Sequence, residues 1–330
     1  MPLIARVGRN KLSVKFWLAF ITSFLWLGVA LHLFPVWWMF TSSIKPVPEV
    51  YKFPPTLWPH KPTLVCYKLF FQAIGVSYKG AYSTVLPFPV YVYFKNSLIY
   101  TLGAMAIQIP VCALVAYSLS KLHSPRWSRI LFLAFITPLL IPAQIYLIPR
   151  VLLFKNFPYA FKISSNLPSV NLMNTTWVMI LPFCYDAFNV LLFKGFFDTI
   201  PESLVNAARL DGASEIGILR RIIIPLSKPI FAVVSWFSFS GLWNRFLWPL
   251  TVLTEEKMWP ISLRMNLLQT NLESEHLQTG MSELDLIRRE IGLGWNLIMA
   301  MGIIQSIPIF IVFLICREYL MKGIRLRGFK

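Results

Sequence analysis

Residues 199–225 read Thr199-Ile-Pro-Glu-Ser-Leu-Val-Asn-Ala-Ala-Arg-Leu-Asp-Gly-Ala-Ser-Glu-Ile-Gly-Ile-Leu-Arg-Arg-Ile-Ile-Ile-Pro225. Thr199 and Glu202 have the spacing of a capping box, in which hydroxyl and carboxylate reciprocally satisfy free backbone donors, and Pro201 is tolerated in a first helical turn. A helix is therefore predicted from about Ile200. Asp211-Gly212 ends it, because glycine enters the left-handed conformation where a side chain would cost about 1–2 kcal/mol. Ser214 and Glu215 open a second helix running through Arg221, and Pro225 terminates it. The stretch is a helix, a tight turn and a helix.

On either side the sequence turns apolar. Six runs approach the roughly 20 residues needed to cross a bilayer core: Phe16 to Phe40, Ser97 to Leu119, Ile130 to Pro149, Thr176 to Phe193, Pro229 to Trp248 and Trp295 to Ile315. Composition agrees, since the 330 residues are 56% hydrophobic and 14% charged, against about 45–50% and 25% in soluble domains. The first run has a basic start and a loose small-residue site at Gly28-Val29-Ala30, but it continues to Phe40, too far for a cleaved signal core. Pro110, Pro138, Pro142 and Pro308 are expected to kink the spans that hold them. The expected architecture is an all-α integral membrane chain. It has six transmembrane helices in one transmembrane domain, residues 1–330, with the charged loop 194–228 between the fourth and fifth.

Charge placement orients it. The net charge of +17 would suit nucleic acid if the basic residues lined one soluble face, but they collect on alternate loops. Arg6, Arg9, Lys11 and Lys15 precede the first run; Lys121, Arg126 and Arg129 follow the second. Lys194, Arg209, Arg220, Arg221 and Lys228 lie in the helical loop, and Arg317, Lys322, Arg325, Arg327 and Lys330 close the chain. The positive-inside rule puts these loops and both termini in the cytoplasm. The acids Glu255, Glu256, Glu273, Glu275, Glu283, Asp285 and Glu290 fall in the outer segment. An outer stretch carrying Pro46, Pro48, Pro54, Pro55, Pro59 and Pro62 cannot form a continuous helix and reads as a packed strap.

Catalytic and metal chemistry find no foothold. The four cysteines and four histidines are scattered, no Gly-rich phosphate loop occurs, and no His-centred or paired-acid constellation is present. No metal site is expected. From physics alone the loop 199–225 is either a tie between spans or a docking element, with Leu204, Val205, Ala207 and Ala208 able to enter a partner's groove.

The same loop resembles the cytoplasmic signature of inner-membrane permease subunits of ATP-binding-cassette importers, above all the carbohydrate branch with the maltose and glycerol phosphate systems. The signature runs Glu-Ala-Ala, three residues, Gly, nine residues, Ile, any residue, Leu-Pro. At these offsets the chain has Asn206-Ala207-Ala208, Asp211-Gly212-Ala213, then Ile222, Ile224 and Pro225. Asn206 replaces the usual glutamate, and Ile224 the leucine. Phe34 to Lys45, Asn96 to Leu98, Ala116 to Lys121 and Trp243 to Leu250 also resemble the branch, with Arg245 where an acid is commoner. Tyr319 to Gly323 and Arg327 to Lys330 are similar to its tail. The outer segment from Pro260 to Ile291 is longer than usual.

The resemblance implies the type I importer permease fold in a bacterial cytoplasmic membrane and passage of a sugar or related small polar solute. It implies a second homologous permease subunit, two ATP-binding-cassette ATPases and an extracytoplasmic solute-binding protein as partners. No cofactor would be bound by this chain itself, with ATP and Mg2+ held in the ATPases. Glu202, Asn206, Ala207, Ala208, Asp211, Gly212, Ala213, Ile222 and Pro225 are the expected coupling residues. A non-sugar solute, or a secondary transporter working alone, are the alternatives. Intramembrane polar side chains tend to face cavities or neighbouring helices. Asp186, with Asn189 three residues on and Asn244 in the next span, lines the solute path on one reading and ties helices together on the other.

Overall fold

The computed structural model describes residues 12–68, 70–71, 74–78, 81–158, 170–277 and 294–326. Arg6, Arg9, Lys11, Arg327 to Lys330, and the acids Glu283, Asp285 and Glu290 lie outside the described residues, as does the outer segment from 278 to 293. Apart from one ribbon of two strands, β1 (Ile74–Tyr78) and β2 (Ala81–Leu86), the regular structure among the described residues is helical. In chain order the helices used below are α1 (Leu12–Ser43), α2 (Val90–Tyr117), α3 (Pro125–Ile136), α4 (Leu147–Lys155), α5 (Thr176–Ile180), α6 (Ala187–Phe197), α7 (Glu202–Leu210), α8 (Glu215–Ile218), α9 (Lys228–Trp243), α10 (Leu247–Val252), α11 (Ile261–Leu277) and α12 (Trp295–Leu326).

Three continuous stretches are long and apolar enough to cross a membrane: Val14–Ser43, Val90–Leu122 and Trp295–Leu320. Two more consist of bent pairs, Thr176–Phe183 with Ala187–Phe197 at 42° and Glu215–Leu226 with Lys228–Trp243 at 81°. The described residues thus supply up to five crossings by length and composition, against six expected; in the last pair the arm Glu215–Leu226 belongs to the charged loop, and α9 is the arm that lies in the apolar run. The difference lies in the third run, Ile130 to Pro149. There α3 stops at Ile136, a 3-10 turn covers Thr137–Leu140, and α4 begins only at Leu147. Pro138 and Pro142 explain the break: each withholds a backbone N–H, and its ring obstructs the carbonyl four residues back. Pro110 and Pro308, by contrast, lie inside α2 and α12.

The chain divides into two compact units. The first takes its described residues from Met1–Leu69, Val76–Ser83 and Leu272–Ile303. Along α1 the aromatic and aliphatic side chains are exposed, Phe24 and Trp26 each at 69%, as suits a helix whose solvent is lipid. At its end the polar groups turn inward. The buried Lys45 donates to the Thr56 carbonyl and lies 4.3 Å from the Trp38 ring centroid. Glu49 accepts from the Thr56 hydroxyl at 2.8 Å and the His60 amide at 3.0 Å. Asn296 donates to the Lys45 carbonyl at 3.2 Å. These bonds fasten the proline-rich strap.

The second unit takes its described residues from Phe70–Gly75, Thr84–Asn271 and Ile304–Lys330. Here α2 is the central rod, packed by α6 and α9. A Cβ on Gly103 would stand 2.7 Å from Ile180 Cδ1, so glycine lets α2 approach α5 closely. Lipid tails are as apolar as leucine, and what joins membrane helices is packing and interhelical hydrogen bonding rather than expulsion from water. Asn189, 3% exposed, supplies such bonds from α6: its amide donates to Ser238 of α9 at 2.8 Å and to Gln108 of α2 at 3.3 Å. Asn189→Ala should lower stability by about 1–2 kcal/mol, read as an earlier thermal transition of the detergent-purified protein. An unchanged transition would show that this buried triad contributes nothing to helix association.

Candidate functional site

The loop after α6 carries Glu202, Arg209, Asp211, Glu215, Arg220 and Arg221 within twenty residues, too many charges for hydrocarbon. It folds as the predicted helix, turn and helix, with two local corrections. The capping box does not form: Thr199 turns its hydroxyl back to the Phe196 carbonyl at 2.7 Å, and α7 starts at Glu202 with Pro201 as its cap. The second helix does not stop at Pro225. It widens into a π-turn over Leu219–Ile223 and continues through Leu226. The wide turn lies just before the proline, which cannot donate to the carbonyl of Arg221.

The bend follows from its residues. Gly212 has φ +78°. Its amide donates to the Arg209 carbonyl at 3.0 Å, and the Ala213 amide to the Ala208 carbonyl at 2.9 Å. These two bonds make a Schellman motif, which satisfies carbonyls that a helix end leaves free. Ser214 then caps α8, accepting from the Gly217 amide at 3.2 Å.

One carboxylate holds this bend to the rest of the unit. Glu215 accepts from Arg209 Nε at 2.7 Å and Nη2 at 3.3 Å, and from the Tyr117 hydroxyl at the end of α2 at 2.6 Å. Arg209 Nη2 also reaches the Lys121 carbonyl at 3.0 Å, and Nη1 the Asn206 side-chain oxygen at 3.2 Å. Lys121 Nζ donates to the Ile200 carbonyl at 2.7 Å, and Ser120 to Asp198 at 2.6 Å. The Arg209 hydrogen bonds, then that of Tyr117, hold the Glu215 carboxyl below its ordinary range against the smaller opposing effect of burial. The same contact raises Arg209. Apolar contact completes the attachment, as Val205, Ile218 and Ile223 are buried in a core with Ala116, Phe193 and Phe197.

The expected coupling residues divide between two faces. Ala208 and Ile222 pack against that core. Glu202, Asn206, Ala207, Asp211, Gly212, Ala213 and Pro225 are exposed, together with Leu204 and the tip residues Leu210 and Ile216, at 89% and 77%. The spacing of the signature does not single out Arg209, Glu215, Tyr117 or Lys121, although opposite charges six residues apart across a glycine bend are a usable signal.

Of the expected solute-path residues, Asp186 and Asn189 are bonded to each other and Asn244 is bonded elsewhere. Asp186 sits at the break between the arms of the fourth span and caps α6, its Oδ1 accepting the Asn189 amide at 2.9 Å. Asn189 belongs to the buried triad above. Asn244 is exposed at the end of α9, where its Oδ1 accepts from Gln305 Nε2 at 3.0 Å. Among the described residues no group of three His, Cys, Asp or Glu side chains could hold a metal ion.

The model of a family described as binding-protein-dependent transport system inner membrane component matches residues 108–326. Protein LplC of Bacillus subtilis (strain 168) is 29% identical over 251 residues, 76% of this chain and 78% of its own. The polygalacturonan/rhamnogalacturonan transport system permease protein YtcP of the same organism is 28% identical over 259 residues, 77% of this chain and 81% of its own. Among solved structures, a bacterial ABC transporter involved in the import of the acidic polysaccharide alginate shares the fold. Its TM-score is 0.65 at 20% identity, over 97% of this chain and 100% of that one.

Glu215→Gln keeps the shape but weakens the charge-assisted bonds. After discounting for solvent at a pair 35% and 42% exposed, the loss should be on the order of 1 kcal/mol, about 2–4 °C in Tm. Because the folded carboxyl titrates below its unfolded value, its stabilisation is complete above the unfolded pKa and disappears as pH falls through the folded one. The Tm difference from wild type should therefore be constant at neutral pH and close on acidification. A difference independent of pH would rule out the clamp.

Proposed function

The chain belongs to the family of inner membrane components of binding-protein-dependent transport systems, and from that premise we propose that it is a permease subunit of an ATP-driven importer for a saccharide or related small polar solute. The observation that carries the reading is the bend at Gly212. It is capped at both helix ends, bonded to the foot of α2 through Glu215, and presents Leu210 and Ile216 outward. Large apolar side chains exposed on a charged loop fit a partner's cleft better than water. A stiff element in such a cleft passes on rigid-body movement, which a loose loop would absorb.

In this proposal residues 199–225 dock on one of two ATP-binding-cassette subunits, which hold ATP and Mg2+ and carry out hydrolysis. A second homologous permease completes the membrane part, and an extracytoplasmic solute-binding protein delivers the cargo. Both termini and the docking loop then lie in the cytoplasm, in keeping with the basic residues of the loop and chain ends. The name of YtcP and the description of the alginate transporter support a saccharide as the cargo class.

Space is not the constraint at Gly212, since a Cβ there meets nothing within 4 Å; its positive φ is. Gly212→Val should cost about 1–2 kcal/mol locally and turn Leu210 and Ile216 out of register. The variant should still insert in the membrane but lose co-purification with the ATPases or solute-stimulated hydrolysis. Normal transport by it would refute the docking role.

A further inference from the structure

Two arginines converge on one cavity of the second unit. Arg150 projects from α4 and Arg245 from the break between α9 and α10, and with Gln144, Tyr146 and Trp248 they line a space of about 100 Å3. Both guanidinium groups approach the Phe183 ring, their carbons 5.8 and 4.0 Å from its centroid. Arg150 lies 4.7 Å from the Tyr146 centroid and 5.8 Å from that of Trp248. Neither is salt-bridged to a carboxylate among the described residues, and the buried Nε of Arg245 has no hydrogen-bond partner. Asp186 is within Coulombic reach of Arg245, but its Oδ1 caps α6.

A cation on an aromatic face is stabilised by the ring's quadrupole, yet that contact leaves the in-plane N–H donors of a guanidinium open to further partners; Arg150 donates to the Tyr146 hydroxyl, while the buried Arg245 Nε donates to nothing. Like charges sharing a wall of low dielectric also repel one another. A guanidinium edge matches carboxylate, sulfonate and phosphate oxygens two at a time. An anion held between the two would satisfy the donors and relieve the repulsion at once. We propose that the Arg150 and Arg245 cavity is an anion subsite, and that the cargo is a saccharide or polyol carrying a carboxylate, sulfonate or phosphate group. This deepens the importer reading and rests on it.

The test is protection from phenylglyoxal, which modifies arginine, on the chain purified with its partner subunits in nanodiscs and read by peptide mass spectrometry. At constant ionic strength, D-galacturonate, sn-glycerol 3-phosphate or glucose 6-sulfonate should slow modification of Arg150 and Arg245 about tenfold or more, and neutral galactose should not. In Arg245→Gln the protection of Arg150 should weaken by about tenfold, and Arg150→Gln should do the same at Arg245; Arg245→Lys should keep part of it. Equal modification with and without every organic anion would overturn the subsite, as would protection by inorganic phosphate alone. If the ATPases co-purify in that preparation, only this inference falls. If they do not, the importer reading falls with it.

Discussion

The Glu215 carboxylate is where this structure meets in one point. It takes two hydrogen bonds from Arg209 and one from Tyr117, and so joins both arms of the charged loop to the foot of the most deeply packed helix. Without it, α8 would rest on apolar contacts such as that of Ile218, and α7 on Val205 and the single Arg209 bond to the Lys121 carbonyl. Such contacts hold a helix down but fix its direction poorly. Charge-assisted bonds are directional, and direction is what a lever needs.

The same division of labour recurs within the membrane part. Apolar surface is plentiful and unselective there, so specific association falls to a few polar groups: Asn189 with Gln108 and Ser238, the indole of Trp243 on the Gln305 carbonyl at 2.9 Å, and that of Trp248 on the Val178 carbonyl at 2.8 Å. Where a span breaks, a side chain closes the helix end, as Asp186 does for α6. Arg150 and Arg245 stand apart, since both line one cavity and neither is salt-bridged to a carboxylate among the described residues, and the anion subsite is proposed for that reason.

Much of this is legible in the residues and some is not. The bend at Gly212 and the cap at Ser214 are readable because each depends on one residue's own backbone preference. The capping box at Thr199 fails because its hydroxyl has a nearer carbonyl behind it, a competition that spacing does not reveal. Apolar runs announce the membrane, but a run is blind to where a helix ends, and Pro138 and Pro142 mark a full break where kinks are expected. Asp186 and Asn189 are visible as polar groups in a span; that one caps a helix and the other ties three together depends on neighbours far away in sequence. Tyr117 and Glu215, 98 residues apart, cannot be paired from spacing at all. Arg245 stands out in the sequence only as a reversal of the usual charge, and its significance emerges once α4 places Arg150 beside the same aromatic ring.

In the proposed importer the Gly212 bend faces the cytoplasm and bears on an ATPase during turnover. Introducing Leu210→Cys at the exposed tip, with Cys184 replaced, allows thiol crosslinking within the assembled importer. The expected result is a crosslink to the ATPase subunit whose yield changes between ATP-bound and nucleotide-free states, and protection of the introduced thiol from an impermeant maleimide added outside sealed cells. Labelling from outside, or a tip that crosslinks to no other chain in any nucleotide state, would contradict it.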